Sequence, residues 1–194
     1  MSVTMSFENV LIIKGRFLNS GVDIAIANVY APCDSGGCAC LWERIVTQIQ
    51  NDVGRAWCVV GDFNAIRSES ERKSRVIGGS SANFSVFNNF IEDVVLVDLL
   101  LCGRSFTWYR GDGMSMRHLE RFLLSEEWIF SWPNCIQVAL PRSVSDHCPI
   151  LLTVDEANWG PRPNHLLKCW FDLPGYKEFV TEKWQSFRID GWGG

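Results

Sequence analysis

The stretch that decides the fold is WCVVGDFNAI, residues 57–66. Its first four residues are apolar and predict a buried β-strand that stops at Gly61. Asp62 and Asn64 follow, and side chains at the end of a buried strand are held by the sheet while they still reach solvent. In extended chain the two point the same way, so they are candidates to position a phosphate and a water. A capped turn, in which both side chains bond nearby backbone, is the alternative interpretation.

A second polar cluster stands in front of another apolar run. The segment SDHCPILL, residues 145–152, places Asp146 and His147 directly before a predicted strand. Asp146 offers a hard oxygen ligand for a divalent ion, and the imidazole of His147 exchanges protons near neutral pH. Because strand ends on one edge of a layered fold converge, we expect both residues to lie near Asp62.

Between these two motifs lies SFTWYRGDGMSMRHLERFLLSEEW, residues 105–128. In content, order and spacing the three motifs resemble the endonuclease/exonuclease/phosphatase superfamily. Within it they are most similar to the endonuclease domain of plant LINE-type non-LTR retrotransposons, from Asn28 to the C-terminus. The resemblance implies an α/β sandwich. The superfamily carries an Asn and a metal-binding Glu on strands that precede the one resembling NVYAP, residues 28–32, so the expected fold is a sandwich that lacks its first strands.

The resemblance also implies a reaction. In the superfamily, a water activated near an Asp and an Asn attacks a phosphodiester, while a divalent metal and a His stabilise the developing charge. Asp62, Asn64 and His147 match catalytic positions, and Asp146 matches a metal-binding position. The implied cofactor is Mg²⁺ or Mn²⁺, and the implied partner is DNA.

The resemblance implies roles for two more residues, Tyr30 and Glu120. Tyr30, in NVYAP, matches a phosphate contact, although an aromatic residue at a sheet end is ordinarily a packing residue. Glu120, in RHLERFL, stands where the retrotransposon pattern has the Asp that orients the imidazole. A Glu side chain is longer by one methylene, so we expect it to hold His147 less firmly.

The charge of the chain indicates that any DNA contact is local and weak. Lys and Arg total 18 against 22 Asp and Glu, a formal net charge of −4, so no global positive field attracts DNA. Arg67 opens a polar stretch, residues 67–81, interpreted as a mobile surface loop that touches phosphate or is simply solvated. Trp108 matches an aromatic position near the family's DNA groove, with a core position as its alternative.

Composition points to one globular domain outside the secretory pathway. Hydrophobic residues make up 47% of the chain, and the sequence shows neither a signal peptide nor an apolar run of about 18 residues, so we expect a nuclear or cytoplasmic protein without membrane contact. The eight cysteines are therefore expected to be reduced. Cys33, Cys38 and Cys40 cluster in one apparent loop, but no CxxC pair or matching His accompanies them as a zinc site requires. Nothing in the sequence indicates an oligomer.

Hydrophobic periodicity predicts the elements and their grouping. Expected strands are 10–14, 22–30, 57–60, 96–101, 106–109, 119–124, 136–140 and 148–152, with the first two forming a hairpin. Expected helices are 41–49, 84–94, a short one capped by Ser125, and 176–187. Residues 1–8 carry no structural signal. We interpret 1–154 as a truncated endonuclease/exonuclease/phosphatase domain and 155–194 as a linker that would precede a reverse transcriptase.

Two classes of function follow from these expectations. The first is a metal-dependent phosphodiesterase, a DNA endonuclease domain derived from a retrotransposon, catalytically impaired because the superfamily's metal-binding Glu has no match. The second is an inactive folded remnant or interaction module. A phosphoesterase acting on small molecules would share the fold, but the FTWYR and RFLLSEEW blocks resemble the retrotransposon branch and count against it.

Overall fold

The computed structural model describes residues 3–74, 82–154 and 175–186. The chain divides into two compact units, Met1–Glu156 and Ala157–Gly194. In the first unit the helices are α1 Ser35–Gln50, α2 Ala82–Asp93 and α3 Glu126–Ser131, and in the second α4 is Tyr176–Ser186. The strands are β1 Val3–Phe7, β2 Val10–Arg16, β3 Asp23–Tyr30, β4 Ala56–Asp62, β5 Arg72–Ser74, β6 Val97–Asp98, β7 Leu101–Cys102, β8 Trp108–Tyr109, β9 Ser115–Arg117, β10 Glu120–Leu124, β11 Cys135–Ala139 and β12 Ile150–Val154.

A six-stranded sheet in the order β1-β2-β3-β4-β10-β6 forms the centre of the first unit. β4 is the strand predicted from WCVVGDFNAI, and it runs parallel to β3 because α1 carries the chain back between them. The predicted hairpin is confirmed, since β2 and β3 pair antiparallel. The sequence gives no structural signal for residues 1–8, yet Val3–Phe7 form β1, an exposed edge strand that pairs with β2.

Helices α1 and α2 cover one face of the central sheet with aromatic side chains. Trp42 stacks on Phe90 with ring centroids 4.8 Å apart, and Phe63 and Phe87 complete the cluster. Helix α1 begins earlier than predicted because Asp34 caps it, accepting a hydrogen bond of 2.7 Å from the Gly37 N–H. The prediction of a cysteine-bearing loop was therefore wrong for Cys38 and Cys40, which lie within the helix.

A second sheet, in the order β12-β11-β7, packs on the other face. Gln137 is fully buried and joins the two sheets: its Oε1 accepts from the Phe122 N–H at 2.7 Å, and its Nε2 donates to the Leu99 carbonyl at 2.7 Å. Ser125 caps α3, as predicted. Two packed sheets, with α1 and α2 on the outer face of the central one, make an α/β sandwich, so the predicted fold class is confirmed. The expected absence of the superfamily's first strands stays a prediction.

A third, small sheet in the order β5-β9-β8 lies beside the sandwich. The stretch 67–81 is not wholly a loop, because 69–71 form a 3₁₀ turn and 72–74 form β5. Residues 75–81 lie outside the described part, as do 155–174. The predicted strand 96–101 is two short strands, β6 and β7, which join different sheets. The last predicted helix is confirmed as α4, and the role of 155–194 as a linker stays a prediction.

Within the described ranges, no helix combines the length and the apolar character needed to cross a membrane.

Candidate active site

Three strand ends of the central sheet bring the first residues of the site together. Asp62 is the last residue of β4, and its register partners are Tyr30 on β3 and Glu120 on β10. β3 runs parallel to β4, so Tyr30 is the last residue of its strand. β10 runs antiparallel to β4, so Glu120 is the first residue of its strand. The backbone pairing of the sheet therefore places these three residues side by side.

His147 reaches this edge from the segment between β11 and β12. A single antiparallel bridge pairs its backbone with Trp108, and its Nδ1 contacts Glu120 Oε1. The same nitrogen lies 4.0 Å from Asp62 Oδ2, while Nε2 lies 3.8 Å from Asp146 Oδ1. The predicted convergence of the two motifs is therefore observed: Asp62 and His147 lie at the same edge of the sheet.

Thr107 holds the segments that carry Glu120 and His147. Its side chain is fully buried, and its Oγ1 accepts hydrogen bonds from the N–H groups of Leu119 at 2.9 Å and Glu120 at 3.1 Å. Its carbonyl accepts from the Cys148 N–H at 2.6 Å. The sequence analysis missed this residue. A Thr between the aromatic residues of SFTWY was its only signal, and the partners lie more than ten positions away.

Asp62 and Asn64 do not form the extended pair that the sequence suggested. Asn64 adopts a left-handed conformation with φ of 46°, and its N–H donates to Asp62 Oδ1 at 2.9 Å. Its side-chain Nδ2 donates to the Ala31 carbonyl at 2.7 Å. The capped-turn alternative is thus present, yet Asp62 Oδ2 still faces His147. One carboxylate oxygen holds the turn and the other belongs to the site.

Burial and neighbouring charges shift the pKa values of Asp62 and His147. Burial raises the pKa of Asp62, and the nearby negative charge of Glu120 adds to that rise. Burial alone would lower the pKa of His147, but the hydrogen bond and charge of Glu120, together with Asp62 and Asp146, outweigh it and raise that pKa. The protonated form of the His147 imidazole is therefore favoured relative to an ordinary histidine.

Asp146 lies at the rim. Its Oδ2 accepts a hydrogen bond of 2.9 Å from Trp108 Nε1, and this bond lowers the pKa of the Asp146 carboxyl. Trp108 therefore lies at the site and is half-buried. The alternative interpretation, a core position for Trp108, was wrong. The role of Asp146 as a metal ligand stays a prediction, and one oxygen already has a partner.

Tyr30 and Arg67, the two other residues predicted to contact substrate, differ in whether their polar groups are free to bind a ligand. Tyr30 is next to Asp62 and 68% exposed, so its hydroxyl is open to a ligand. Arg67 is not free in the same way, because its guanidinium donates to Asn88 Oδ1 at 2.9 Å and lies 3.2 Å from Asp98 Oδ2. The proposed DNA contact of Arg67 would have to compete with both partners.

The donors at the site are a mixed set. Asp62, Glu120 and His147 each offer one ligand atom, and these atoms lie within 4.8 Å of one another. Two carboxylates and an imidazole suit Mn²⁺ and Zn²⁺, whereas Mg²⁺ favours oxygen ligands alone. The residues present therefore fit a divalent ion of the first group better than the Mg²⁺ that the resemblance implies.

The packed sheets and helices define the class: an α/β protein with the endonuclease/phosphatase-like fold. No protein-family profile matches the chain, and no curated protein matches it.

Among the solved structures that this chain resembles are a retrotransposon endonuclease domain and a bacterial toxin. The endonuclease domain of TRAS1, a telomere-specific non-LTR retrotransposon, superposes with a TM-score of 0.57 and 15% identity, over 79% of this chain and 68% of that domain. Beta toxin from Staphylococcus aureus superposes with a TM-score of 0.52 and 15% identity, over 76% of this chain and 57% of the toxin. This chain thus spans little more than half the length of the toxin. At such identities the similarity shows the fold alone.

Proposed function

We propose that the chain is a metal-dependent phosphodiesterase: a DNA endonuclease domain derived from a plant LINE-type non-LTR retrotransposon, catalytically impaired as it stands. The observation that carries the proposal is the cluster of Asp62, Glu120 and His147 at the ends of β4 and β10. A histidine held by a carboxylate at a solvent-facing strand end is an arrangement that serves proton transfer and charge stabilisation. The similarity of the fold to the TRAS1 endonuclease domain supports the same class.

The roles follow from the contacts. Glu120 accepts a hydrogen bond from Nδ1 of His147, which turns Nε2 toward the rim, so we assign Nε2 as the atom that donates to a phosphate oxygen. Asp62 Oδ2 lies 4.0 Å from Nδ1 of the same imidazole, and we assign it to accept a hydrogen bond from the attacking water. A bound divalent ion would supply charge neutralisation at the phosphate. Glu120 positions the imidazole and does not itself touch substrate.

The surface next to His147 supports a nucleic-acid substrate. Arg117 lies over the ring of Trp108 with 5.7 Å between the guanidinium carbon and the ring centroid, and Arg142 lies over Tyr109 at 5.3 Å. Guanidinium groups and aromatic faces together bind phosphates and bases. They give a local positive surface despite the negative net charge, and this is where we propose that DNA binds, weakly.

Cleavage under single-turnover conditions tests the proposal. We expect the chain, in molar excess over supercoiled plasmid and with Mn²⁺, to produce nicked circles slowly, because His147 and Asp62 remain in place. His147→Ala and Asp62→Ala variants should lose this activity by about a hundredfold. The matched control is Arg16→Ala. It removes an exposed ion pair with Asp23, and both residues are distant in sequence from Asp62 and His147. Nicking at the same rate in all four proteins, or in none, would overturn the proposal in favour of an inactive folded remnant.

A further inference from the structure

The carboxylate of Asp146 lies beside the imidazole nitrogen that the proposed substrate must reach. Asp146 Oδ1 is 3.8 Å from Nε2 of His147, the atom assigned above as the donor to a phosphate oxygen. A hydrogen bond between nitrogen and oxygen has a length of about 3.2 Å or less, so a movement of about 1 Å would bond the two groups. Asp146 would then occupy the N–H group that a phosphate requires.

The indole of Trp108 holds Asp146 in its observed position. Trp108 Nε1 donates to Asp146 Oδ2 at 2.9 Å, and in the described part of the chain no other side chain donates a hydrogen bond to this carboxylate. The Asp146 side chain is 55% exposed, so packing restrains it little. Its direction therefore depends mainly on the indole N–H.

The backbone around Trp108 fixes the segment that carries Asp146 and His147 by separate bonds. A single antiparallel bridge pairs the backbone of Trp108 with that of His147, and the N–H of Tyr109 donates to the Asp146 carbonyl at 2.9 Å. These backbone bonds remain when the indole N–H is removed. A loss of that N–H therefore releases the carboxylate of Asp146 without releasing the segment.

We propose that Trp108 is a positioning residue: its indole N–H holds the Asp146 carboxylate away from Nε2 of His147, so that Nε2 stays open to a phosphate oxygen of the substrate. Trp108 acts through Asp146 and need not touch the reacting atoms. A hydrogen bond to a charged group is worth about tenfold or more in an equilibrium. The inference rests on the proposed function for the role of Nε2, but the competition for this atom is measurable with inorganic phosphate alone.

Titration of the full chain with inorganic phosphate, without metal or DNA, tests the inference. NMR of the ring protons of His147 reports phosphate binding, and His147→Ala identifies these signals among the three histidines. We expect Trp108→Phe, which keeps an aromatic ring under Arg117, to weaken phosphate binding by about tenfold. Addition of Asp146→Asn should restore binding, because a carboxamide carries no charge to pair with the imidazole.

The double-mutant cycle separates this role from a direct or structural one. In the Asp146→Asn background, Trp108→Phe should change phosphate affinity by less than about twofold. The matched control is Trp132→Phe, which alters an equally half-buried indole that contacts Phe17 at 5.1 Å, and it should leave phosphate affinity unchanged. An equal loss in both backgrounds would show that Trp108 does not act through Asp146. No loss in either, or no phosphate response at His147 in the unaltered chain, would also overturn the inference.

Circular dichroism checks that the variants fold. If Trp108→Phe does not, the indole N–H resonance of Trp108 decides: it should move in Asp146→Asn, and an unchanged resonance would overturn the inference. The expected phosphate pattern without any DNA nicking would overturn the proposed function and leave this inference standing. Nicking that requires His147, together with an equal effect of Trp108→Phe in both backgrounds, would do the reverse.

Discussion

At the scale of single residues, Gly61 allows Asp62 to stand where it does. Its φ is +141°, and a Cβ added there would lie 1.9 Å from the carbonyl oxygen of Val29 on β3. We expect Gly61→Ala to lower the free energy of unfolding by about 3 kcal/mol or more, because strand backbone must move. Urea denaturation followed by circular dichroism measures the change. In the control, Gly15→Ala, the added Cβ meets nothing within 4 Å, and an equal loss in both variants would contradict the steric argument.

The charge of His147 depends on the carboxylates around it. Its pKa is raised because the hydrogen bond and charge of Glu120 outweigh the effect of burial. The resulting contribution to stability is fully present below the unfolded pKa of about 6.5 and is lost as the pH rises through the folded value. Asp62 acts in the same direction, since its pKa is raised mainly by burial.

We therefore expect the imidazole of His147 in the metal-free chain to titrate above the pKa of an ordinary histidine. NMR of the ring protons against pH measures the midpoint. Glu120→Gln removes the charge while keeping the shape, so it should lower that midpoint, and Asp112→Asn, at an exposed turn, should not. A midpoint that is the same in the chain and in Glu120→Gln would show that Glu120 does not set the charge of His147.

Much of the site was predictable at this scale. Asp62, Asn64 and His147 were found because polar residues directly after or before an apolar run mark strand ends in the sequence itself. The turn at Asn64 was the alternative interpretation, but the bond of its side chain to the Ala31 carbonyl, 33 positions away, was not predictable. The same holds for Thr107, whose hydrogen-bond partners are set by tertiary pairing.

At the scale of elements, a buried ion cluster of Glu71, Asp98 and Arg121 ties the 3₁₀ turn, β6 and β10 together. Arg121 is 1% exposed. Its guanidinium contacts both oxygens of Glu71, donates to Asp98 Oδ2 at 2.8 Å, and donates to the carbonyl of His118 at 3.0 Å. Because Arg121 is next to Glu120 on β10, the cluster also fixes the start of the strand that carries the site.

Removal of the Arg121 guanidinium should destabilise the folded protein. We expect Arg121→Met to lower the free energy of unfolding by about 3 to 5 kcal/mol, because Asp98 and Glu71 lose their main partner while remaining largely buried. Arg110→Met removes an exposed pair with Asp112 and should change stability by less than about 0.5 kcal/mol. Chemical denaturation compares the two variants. If they differ little, the buried cluster does not stabilise these elements.

The elements that the sequence missed are those that depend on a partner strand. β1 and β9 are short and mostly exposed or half-buried, so neither shows the apolar alternation from which strands are predicted. Helix α1 was predicted from its apolar stripe, but its first turn carries Gly and Cys and forms only because Asp34 caps it. By contrast, β4 and β10 are buried over most of their length and were predicted within two residues.

At the scale of the whole molecule, the fold supplies a site while the composition supplies little attraction for DNA. The net charge is −4, and phosphate contacts from Lys and Arg provide most non-specific affinity for DNA. Arg67 is engaged with Asn88 and Asp98, whereas Arg117 and Arg142 lie over the rings of Trp108 and Tyr109, next to the site. The molecule therefore depends on a small area to hold its proposed substrate.

The final prediction is that the chain, at catalytic concentration and with Mg²⁺, does not nick supercoiled plasmid DNA above the level of His147→Ala. The donor set includes an imidazole, which Mg²⁺ disfavours. One N–H of the Asn64 amide is bonded to the Ala31 carbonyl, and this bond fixes the direction in which the other N–H and Oδ1 can meet a water. When residues act as a unit, displacing one of them removes most of the rate, and one misplaced donor commonly lowers the rate by about a hundredfold.

Agarose-gel quantification of nicked circles over time measures the rate, and a commercial nicking enzyme confirms that the plasmid is cleavable. Mg²⁺-dependent nicking that disappears in both His147→Ala and Asp62→Ala would contradict the prediction, because it would show that the ligands present are sufficient for Mg²⁺ and that Asn64 is correctly placed as it stands.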